Sequence, residues 1–276
     1  MSKFPKEMKW GLLIISFYIL WGCSWPIYSY LIKGSLVKPY LPEMNMALEL
    51  SSPFSNGLLL GADMQGRSLL EVISAGLSYS LLVSISVTTF GAVFGLIIGH
   101  YAVKGNKLFR FLLDLVTNLI FIFPSILIAI MIMSVIGPSI KGLIFALMVT
   151  SWPSYAKITR GEVKRVMGLS YVEGAVALGT GSLRLFIKII IPAIIPVLIV
   201  NMVLGLSGVI ISEAALGFLG LGGSPYSWGA LLSSSKTVLL EAPHLSIILS
   251  ITMGGLIIGL NLLGDGLRDY LDPQKM

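Results

Sequence analysis

Few groups in this sequence have the residue types and spacing that bond-making chemistry requires. The clearest is Ser207, which stands between glycines in Gly205-Leu206-Ser207-Gly208, a setting suited to a serine nucleophile. Such a serine needs a histidine base within hydrogen-bond reach, and the two histidines, His100 and His244, fall at the ends of predicted helices. Close helix packing explains the flanking glycines equally well. A membrane-embedded enzyme is therefore the weaker hypothesis.

Motifs that bind nucleotides or metals are missing from the sequence. It contains no GxxxxGK[ST] loop to hold nucleotide phosphates, and no HExxH motif or clustered ligand set for zinc. Its single cysteine, Cys23, excludes both an intrachain disulfide and a cysteine cluster for metal. We therefore expect no catalytic residue, no metal and no cofactor on this chain.

A polar pair in the middle of the chain predicts local structure. Ser170 stands three residues before Glu173, the capping-box spacing, which predicts a short helix that begins at Tyr171. Gly179 would end this helix, together with Gly181, because glycine adopts the left-handed cap conformation at little cost. Ser182 could then cap the next helix. The pair lies within a basic, helix-forming stretch, residues 151–192, between two long apolar runs.

The rest of the chain has the composition of an integral membrane protein. It is 55% hydrophobic and only 12% charged, and it carries long runs without Asp, Glu, Lys or Arg. The sequence predicts an all-α, polytopic membrane protein of about six transmembrane helices, near 10–32, 72–99, 111–136, 140–155, 190–216 and 244–263. We expect residues 1–70 to form an N-terminal transmembrane helix and an external segment, and residues 71–276 to form the core membrane domain.

The positions of the basic residues predict the orientation of the chain. In this six-helix arrangement about fourteen of the 19 Lys and Arg residues lie on one side, which the positive-inside rule places in the cytoplasm. Both termini and the 151–192 stretch are then cytoplasmic. The basic residues sit in short clusters beside apolar runs, a pattern that favours membrane orientation over nucleic-acid binding.

Two features of the predicted spans concern helix shape and packing. Glycines at every fourth position strip one face of the second span and predict a close approach of a neighbouring helix; they are Gly91, Gly95 and Gly99. Pro124 predicts a kink in the third span, and Gly137-Pro138 predicts a tight turn after it. Both features are structural.

Ionisable residues near the spans are scarce. Asp114 is expected to pair with Arg110 at i,i+4 spacing, and Glu213 is expected at the outer membrane interface, since it lies roughly 30 Å up its helix. A secondary transporter would need such groups near the middle of the membrane to couple ion flow. The sequence therefore makes a secondary transporter only a remote alternative.

The 151–192 stretch resembles the EAA loop of ABC importer permeases. The match follows the family pattern of glutamate, two alanines, glycine and isoleucine-x-leucine-proline, here Glu173, Gly174, Ala175, Gly179, Ile189, Ile191 and Pro192. Gly174 and Ile191 depart from the usual alanine and leucine. In that family the loop forms a coupling helix that docks onto a cytoplasmic ATPase. The resemblance implies an ATPase-coupling role for Tyr171, Val172, Glu173, Gly174, Ala175, Ala177, Leu178 and Gly179.

Three further stretches narrow the resemblance to the dipeptide, oligopeptide and nickel group of these permeases. Residues 61–68 (GADMQGRS) are similar to the group's GTDxxGRD motif, with departures at Ala62 and Ser68. Residues 213–222 with 227–229 resemble its outer loop, and residues 261–269 with Asp272-Pro273 resemble its C-terminal signature. Together these stretches cover most of the chain from residue 61 to residue 273 and are similar to the C-type subunit of the group.

The resemblance implies the partners and cargo of the chain. A C-type subunit pairs with a homologous B-type permease in the inner membrane of a bacterium or archaeon, binds two ATPase subunits that carry ATP and magnesium, and receives cargo from an external solute-binding protein. Peptides are the expected cargo, and nickel or a nickel chelate is the alternative. The sequence leaves open which residues line the pathway and what the segment 33–70 contacts.

Overall fold

The computed structural model describes residues 4–33 and 44–271. Within these ranges the chain is helical and has no β-strand, only two isolated bridges, Ser55–Leu58 and Ala62–Ser68. This agrees with the all-α prediction. The long helices are α1 (Lys6–Lys33), α2 (Leu69–Lys104), α3 (Lys107–Ile122), α4 (Ser125–Ile136), α5 (Ile140–Met167), α8 (Ile191–Phe218) and α10 (Pro243–Leu271). The short ones are α6 (Ser170–Ala177), α7 (Ser182–Leu185) and α9 (Trp228–Ser235).

In the described part, four helical segments are long and apolar enough to cross a membrane. They are Lys6–Tyr28, Leu69–Lys104, Ser182–Phe218 and Pro243–Leu271. Helices α3 and α4 meet the same test only as a pair, and the chain bends by 92° between them. The kink predicted at Pro124 is thus a sharp break, since this proline lies between the two helices and its ring cannot continue the first one. Helix α5 begins where the fourth predicted span begins but continues to Met167, twelve residues beyond the predicted end, and its polar second half keeps it from meeting the test.

Close packing of α2 against α5 forms the centre of the fold. A Cβ atom at Gly91 would lie 3.0 Å from the ring of Tyr155, and one at Gly95 or Gly99 would overlap the backbone of Ala156. The predicted role of these glycines in helix packing is therefore confirmed. Helix α10 packs against α1 and α8, and Ser207 of α8 lies within hydrogen-bonding distance of Asn261 of α10, at 3.0 Å.

The environment of Ser207 argues against a nucleophile. Its side chain is buried, and its hydroxyl lies 2.7 Å from the carbonyl oxygen of Leu204, within its own helix. Neither His100 nor His244 bonds to it. Ser207 therefore serves to join α8 to α10.

Candidate functional site

Helix α6 contains the residues predicted to couple the chain to an ATPase. The chain leaves α5 at Gly168, and the carbonyl oxygen of Leu169 accepts hydrogen bonds from the backbone N–H groups of Val172 (2.9 Å) and Glu173 (3.1 Å). The helix begins at Ser170, one residue earlier than predicted, and no side chain caps it. The predicted capping box is therefore wrong, because Leu169 rather than Ser170 occupies the cap position.

The end of α6 follows the glycine prediction. Gly179 has φ +77°, its N–H donates to the carbonyl of Val176 (2.9 Å), and the N–H of Thr180 donates to that of Ala175 (3.1 Å). This pair of bonds is the Schellman motif, which glycine completes without strain. Ser182, predicted to cap the next helix, is instead its first residue, and its hydroxyl accepts a hydrogen bond from Lys104 Nζ at 2.7 Å.

The two faces of α6 differ in burial. Val172 is fully buried, and Ala175, three residues on, is half-buried. The opposite face is open: Tyr171 is 57% exposed and Leu178 is 89% exposed, although both are largely apolar. Glu173, Gly174, Ala177 and Gly179 are also exposed, and a Cβ atom at Gly174 would meet no heavy atom within 4 Å. Helix α6 therefore presents a small-residue surface with apolar edges that no other described part of the chain covers.

The buried face of α6 connects it to two long helices. Val172 packs in one cluster with Val163 and Val166 of α5 and with Leu185 and Ile190, which lie on the path into α8. That path includes a π-helical turn at Phe186–Ile190, a kind of distortion that is frequent at functional sites. Phe186 stacks on His100 of α2 with ring centroids 3.7 Å apart. A displacement of α6 would therefore act on α5, α8 and the end of α2.

A groove of about 410 Å³ lies between α5 and α8. Glycine leaves its floor open at Gly208, whereas the hydroxyl of Tyr155 packs against Gly205. None of the residues that line the groove is charged. Its walls carry small hydroxyl and amide side chains: Thr150, Ser151, Ser154, Asn201 and Ser212. Several of these donate to carbonyl oxygens of their own helix, as Asn201 does to Val197 (2.8 Å) and Ser212 to Gly208 (2.9 Å). Their oxygen atoms remain able to accept hydrogen bonds from a solute.

This groove was not predicted from the sequence. Its signal is the recurrence of small and polar residues on one face of each helix: Thr150, Ser151 and Ser154 on α5, and Asn201, Gly205, Gly208 and Ser212 on α8. Spacings of three and four residues place such side chains on one helix face. Which face meets the neighbouring helix depends on helix rotation, which the sequence does not specify.

Opposite the α6 end, the chain forms a compact structure that we call the cap, residues 45–68 together with 217–229. Asp63 accepts hydrogen bonds from the backbone N–H of Gln65 and of Arg67, both at 2.9 Å, and from Arg67 Nε at 2.7 Å. Both charged side chains are buried, and the guanidinium of Arg67 lies 5.0 Å from the ring centroid of Tyr226. The ion pair thus stabilises the 61–68 motif internally, and the cation–π contact of Arg67 with Tyr226 joins the motif to the 217–229 loop.

Further contacts attach the cap to the membrane helices. Trp228 is fully buried and its Nε1 donates to the carbonyl of Ile73 in α2 at 3.1 Å. Glu213, five residues before the end of α8, is 1% exposed and its Oε2 accepts a hydrogen bond from Ser80 at 2.8 Å. Glu213 lies near the end of its helix, as predicted, and α2 covers its side chain, so it does not face lipid. Its position at the outer membrane interface stays a prediction.

The C-terminal signature also has a packing role. Gly264 lies against Leu204 of α8, and Gly266 lies against the backbone of Met8 in α1. Asp272 and Pro273 fall outside the described residues.

The ion pair predicted within α3 is also wrong. Asp114 pairs with Arg160 of α5, while Arg110 Nε donates to the backbone carbonyl of Gly105 at 2.8 Å. Packing of α3 beside α5 brings Arg160 to Asp114, and this partner is 46 residues away in the sequence. Asp114 therefore joins α3 to the same helix that leads into α6.

Comparison with known proteins places these features in context. The family model described as binding-protein-dependent transport system inner membrane component matches residues 91–276. The di/tripeptide transport system permease protein DppC of Pseudomonas aeruginosa is 35% identical over 228 residues, 78% of this chain and 72% of the relative. The glutathione transport system permease protein GsiD of Pectobacterium atrosepticum is 33% identical over 223 residues, with 78% and 72% covered.

A solved structure supports the fold. An inward-facing conformation of the MetNI methionine ABC transporter has a chain that superposes with a TM-score of 0.61 at 18% sequence identity. The superposition covers 73% of this chain and 97% of that one.

Proposed function

The chain belongs to the family of binding-protein-dependent transport system inner membrane components, and from this premise we propose that α6 receives the movement of ATPase subunits and passes it to the helices that line the groove. The chain is a multi-pass inner-membrane permease subunit of an ABC importer. Its cargo in this proposal is peptides, since the relatives described above are named for di- and tripeptides and for glutathione.

The observation that carries the proposal is the open face of α6. Exposed apolar surface in a loop outside the membrane spans is characteristic of an interaction site. Leu178 and Tyr171 supply that surface, and Gly174 keeps the space between them free of side chains. A groove on an ATPase subunit would bury these residues, with Glu173, Ala175, Ala177 and Gly179 at its edges. Val172, on the other face, would hold α6 to the membrane domain.

Transport follows if ATP binding moves α6 relative to the rest of the chain. ATP and magnesium bind to the two ATPase subunits, and hydrolysis takes place there. Closure of those subunits moves α6, the Val172 cluster transmits the movement to α5 and α8, and the groove between these helices changes its exposure. ATP can shift this equilibrium only because the ATPases contact α6 differently in the two states.

The groove suits a peptide that passes through without tight binding. Peptide groups need partners for their N–H and C=O groups when they leave water. The Ser, Thr and Asn side chains of α5 and α8 offer such partners, and the absence of charge among the lining residues allows peptides of different charge to pass. In this proposal a homologous B-type permease closes the open side of the groove.

Orientation follows from the distribution of Lys and Arg. We place α6 and both termini in the cytoplasm, where ATP is available, and the cap outside, where a solute-binding protein delivers cargo. Nickel is the alternative cargo, but no group of three or more His, Cys, Asp and Glu side chains occurs in residues 4–33 and 44–271. No observation on the described residues favours nickel over peptides.

The test is a substitution on the open face of α6. We expect Gly174→Trp to lower cargo-stimulated ATP hydrolysis about tenfold, since one lost interface contact of about 1.4 kcal/mol has that effect. The complex of this chain, its partner permease and the ATPases is reconstituted in liposomes with a binding protein loaded with a dipeptide. Membrane insertion should not change, because Gly174 is exposed and a Cβ atom there meets no heavy atom within 4 Å.

The matched control is Gly161→Trp on α5, an exposed position where a Cβ atom also meets no heavy atom within 4 Å. This variant should retain the stimulation. Wild-type stimulation in Gly174→Trp contradicts the role of α6. Stimulation by a nickel-loaded binding protein but not by a dipeptide-loaded one contradicts the peptide assignment and leaves the coupling role intact.

A further inference from the structure

A second polar cavity, of about 110 Å³, lies between α2, α3 and α5, away from the groove and from α6. The two residues of the Asp114–Arg160 ion pair both line it. Asp114 is seven residues from the start of α3 and Arg160 is seven residues from the end of α5. At helical rise each lies about 10 Å from the α6 end of its helix.

The charge balance around this cavity is positive. The negative charge of Asp114 offsets the positive charge of Arg160. Lys157 also lines the cavity, and no carboxylate of the described residues lies within ion-pair distance of its ammonium group. Its ammonium group instead lies 5.4 Å from the ring centroid of Phe121. Arg160 Nε is buried and has no hydrogen-bond partner. The cavity therefore has one excess positive charge and at least one buried donor without an acceptor.

Neutral polar and apolar groups complete the surroundings. The amide of Asn118 and the hydroxyl of Thr117 line the cavity beside the cations. The outward side of α3 is apolar and exposed along its length, at Phe111, Leu112, Leu115, Val116, Leu119 and Ile122. A basic cavity that opens beside such a surface matches a molecule with an anionic head and apolar tails.

We propose that this cavity binds the headgroup phosphate of an anionic phospholipid, with Lys157 and the free donor of Arg160 as its partners. Basic pockets between membrane helices are known to take anionic headgroups. The acyl chains would lie along the exposed side of α3. A soluble phosphate shares the headgroup chemistry but would leave that apolar side uncovered. With α6 in the cytoplasm, the lipid would belong to the inner leaflet, and only this choice of leaflet rests on the orientation proposed above.

The experiment measures phospholipid affinity in the delipidated complex of this chain with its partner permease and ATPases. Phosphatidylglycerol, phosphatidylethanolamine and inorganic phosphate are added separately, and bound molecules are counted by native mass spectrometry. Phosphatidylglycerol should bind more tightly than phosphatidylethanolamine. Lys157→Ala should weaken phosphatidylglycerol binding about fivefold, the effect of one cation near an anionic lipid surface. Asp114→Asn should strengthen it, because Arg160 then has no competing carboxylate.

The matched control is Lys236→Ala. Lys236 lies 5.4 Å from the ring centroid of Phe218, so this substitution removes the same charge and the same kind of contact, outside the cavity. Its phosphatidylglycerol affinity should equal that of the wild type. The opposite directions expected for Lys157→Ala and Asp114→Asn distinguish a binding site from general loss of structure.

Three results would overturn the proposal: equal affinity in Lys157→Ala and wild type, no preference for phosphatidylglycerol over phosphatidylethanolamine, or a Lys157-dependent binding of inorganic phosphate without lipid. The last result would assign the cavity to a soluble anion. Because binding is measured without ATP or cargo, the outcome does not depend on the role of α6.

Discussion

The cap and α6 occupy the two ends of α2, a helix of 36 residues, and they are built in opposite ways. The cap buries a charged pair, stacks a cation on an aromatic ring and brings Gly229 against the backbone of Ala214. Helix α6 has one fully buried residue, Val172, and open space at Gly174 and Gly179. The cap is stabilised within the chain, whereas α6 leaves its surface for another molecule. The contrast predicts that substitutions in the cap reduce stability and that those on the open face of α6 reduce coupling.

The largest expected loss of stability is at the cap, in Asp63→Ala. This substitution leaves Arg67 buried without its counter-ion, and breaking a buried pair in this way costs about 3–5 kcal/mol. The thermal unfolding temperature of the purified complex and the yield of inserted protein should fall together. Normal unfolding with lost transport would show that the cap acts on cargo and would remove the contrast.

An intermediate effect is expected where α6 meets the membrane domain, in Val172→Ala. Truncation of this fully buried side chain should cost about 2 kcal/mol from lost burial and a residual cavity. It should also weaken the link between α6 and α8, so ATP hydrolysis should continue while peptide uptake falls. Both rates are measured on the same proteoliposomes. An equal decrease in hydrolysis and uptake would indicate that Val172 supports stability alone.

The smallest effect on stability is expected at the open face of α6, in Leu178→Ser. Because Leu178 is exposed, its replacement should change the free energy of unfolding by no more than about 0.5 kcal/mol. Cargo-stimulated hydrolysis should nevertheless fall about tenfold if this side chain anchors an ATPase subunit. Wild-type stimulation together with wild-type stability would place the interface elsewhere.

The sequence predicted features that depend on local spacing. The end of the short helix at Gly179 follows from glycine conformation. The close approach of a neighbouring helix, which is α5, follows from the glycines at every fourth residue of α2. The 92° break at Pro124 was predicted as a kink, but its angle depends on how α4 packs on α5.

Features that depend on tertiary contacts were predicted poorly. Asp114 was predicted to form an ion pair with Arg110 because the two are near in sequence. Its partner is instead Arg160, which lies on the neighbouring helix α5. Glu213 was placed at an interface because its depth could be estimated, but its cover by Ser80 and α2 could not. The residues that line the groove were not predicted either, because they depend on how α5 and α8 are rotated against each other.

Contact between α6 and an ATPase subunit is the central claim, and site-specific cross-linking tests it directly. A photoreactive group is attached to Leu178→Cys in a Cys23→Ser background, so that it reacts at one cysteine only. Leu240→Cys is the control, since Leu240 is also highly exposed but lies next to the start of α10, away from α6. We predict a cross-linked product with an ATPase subunit from position 178, at a yield that changes with ATP, and none from position 240. No ATPase product from position 178 in the assembled complex would contradict it.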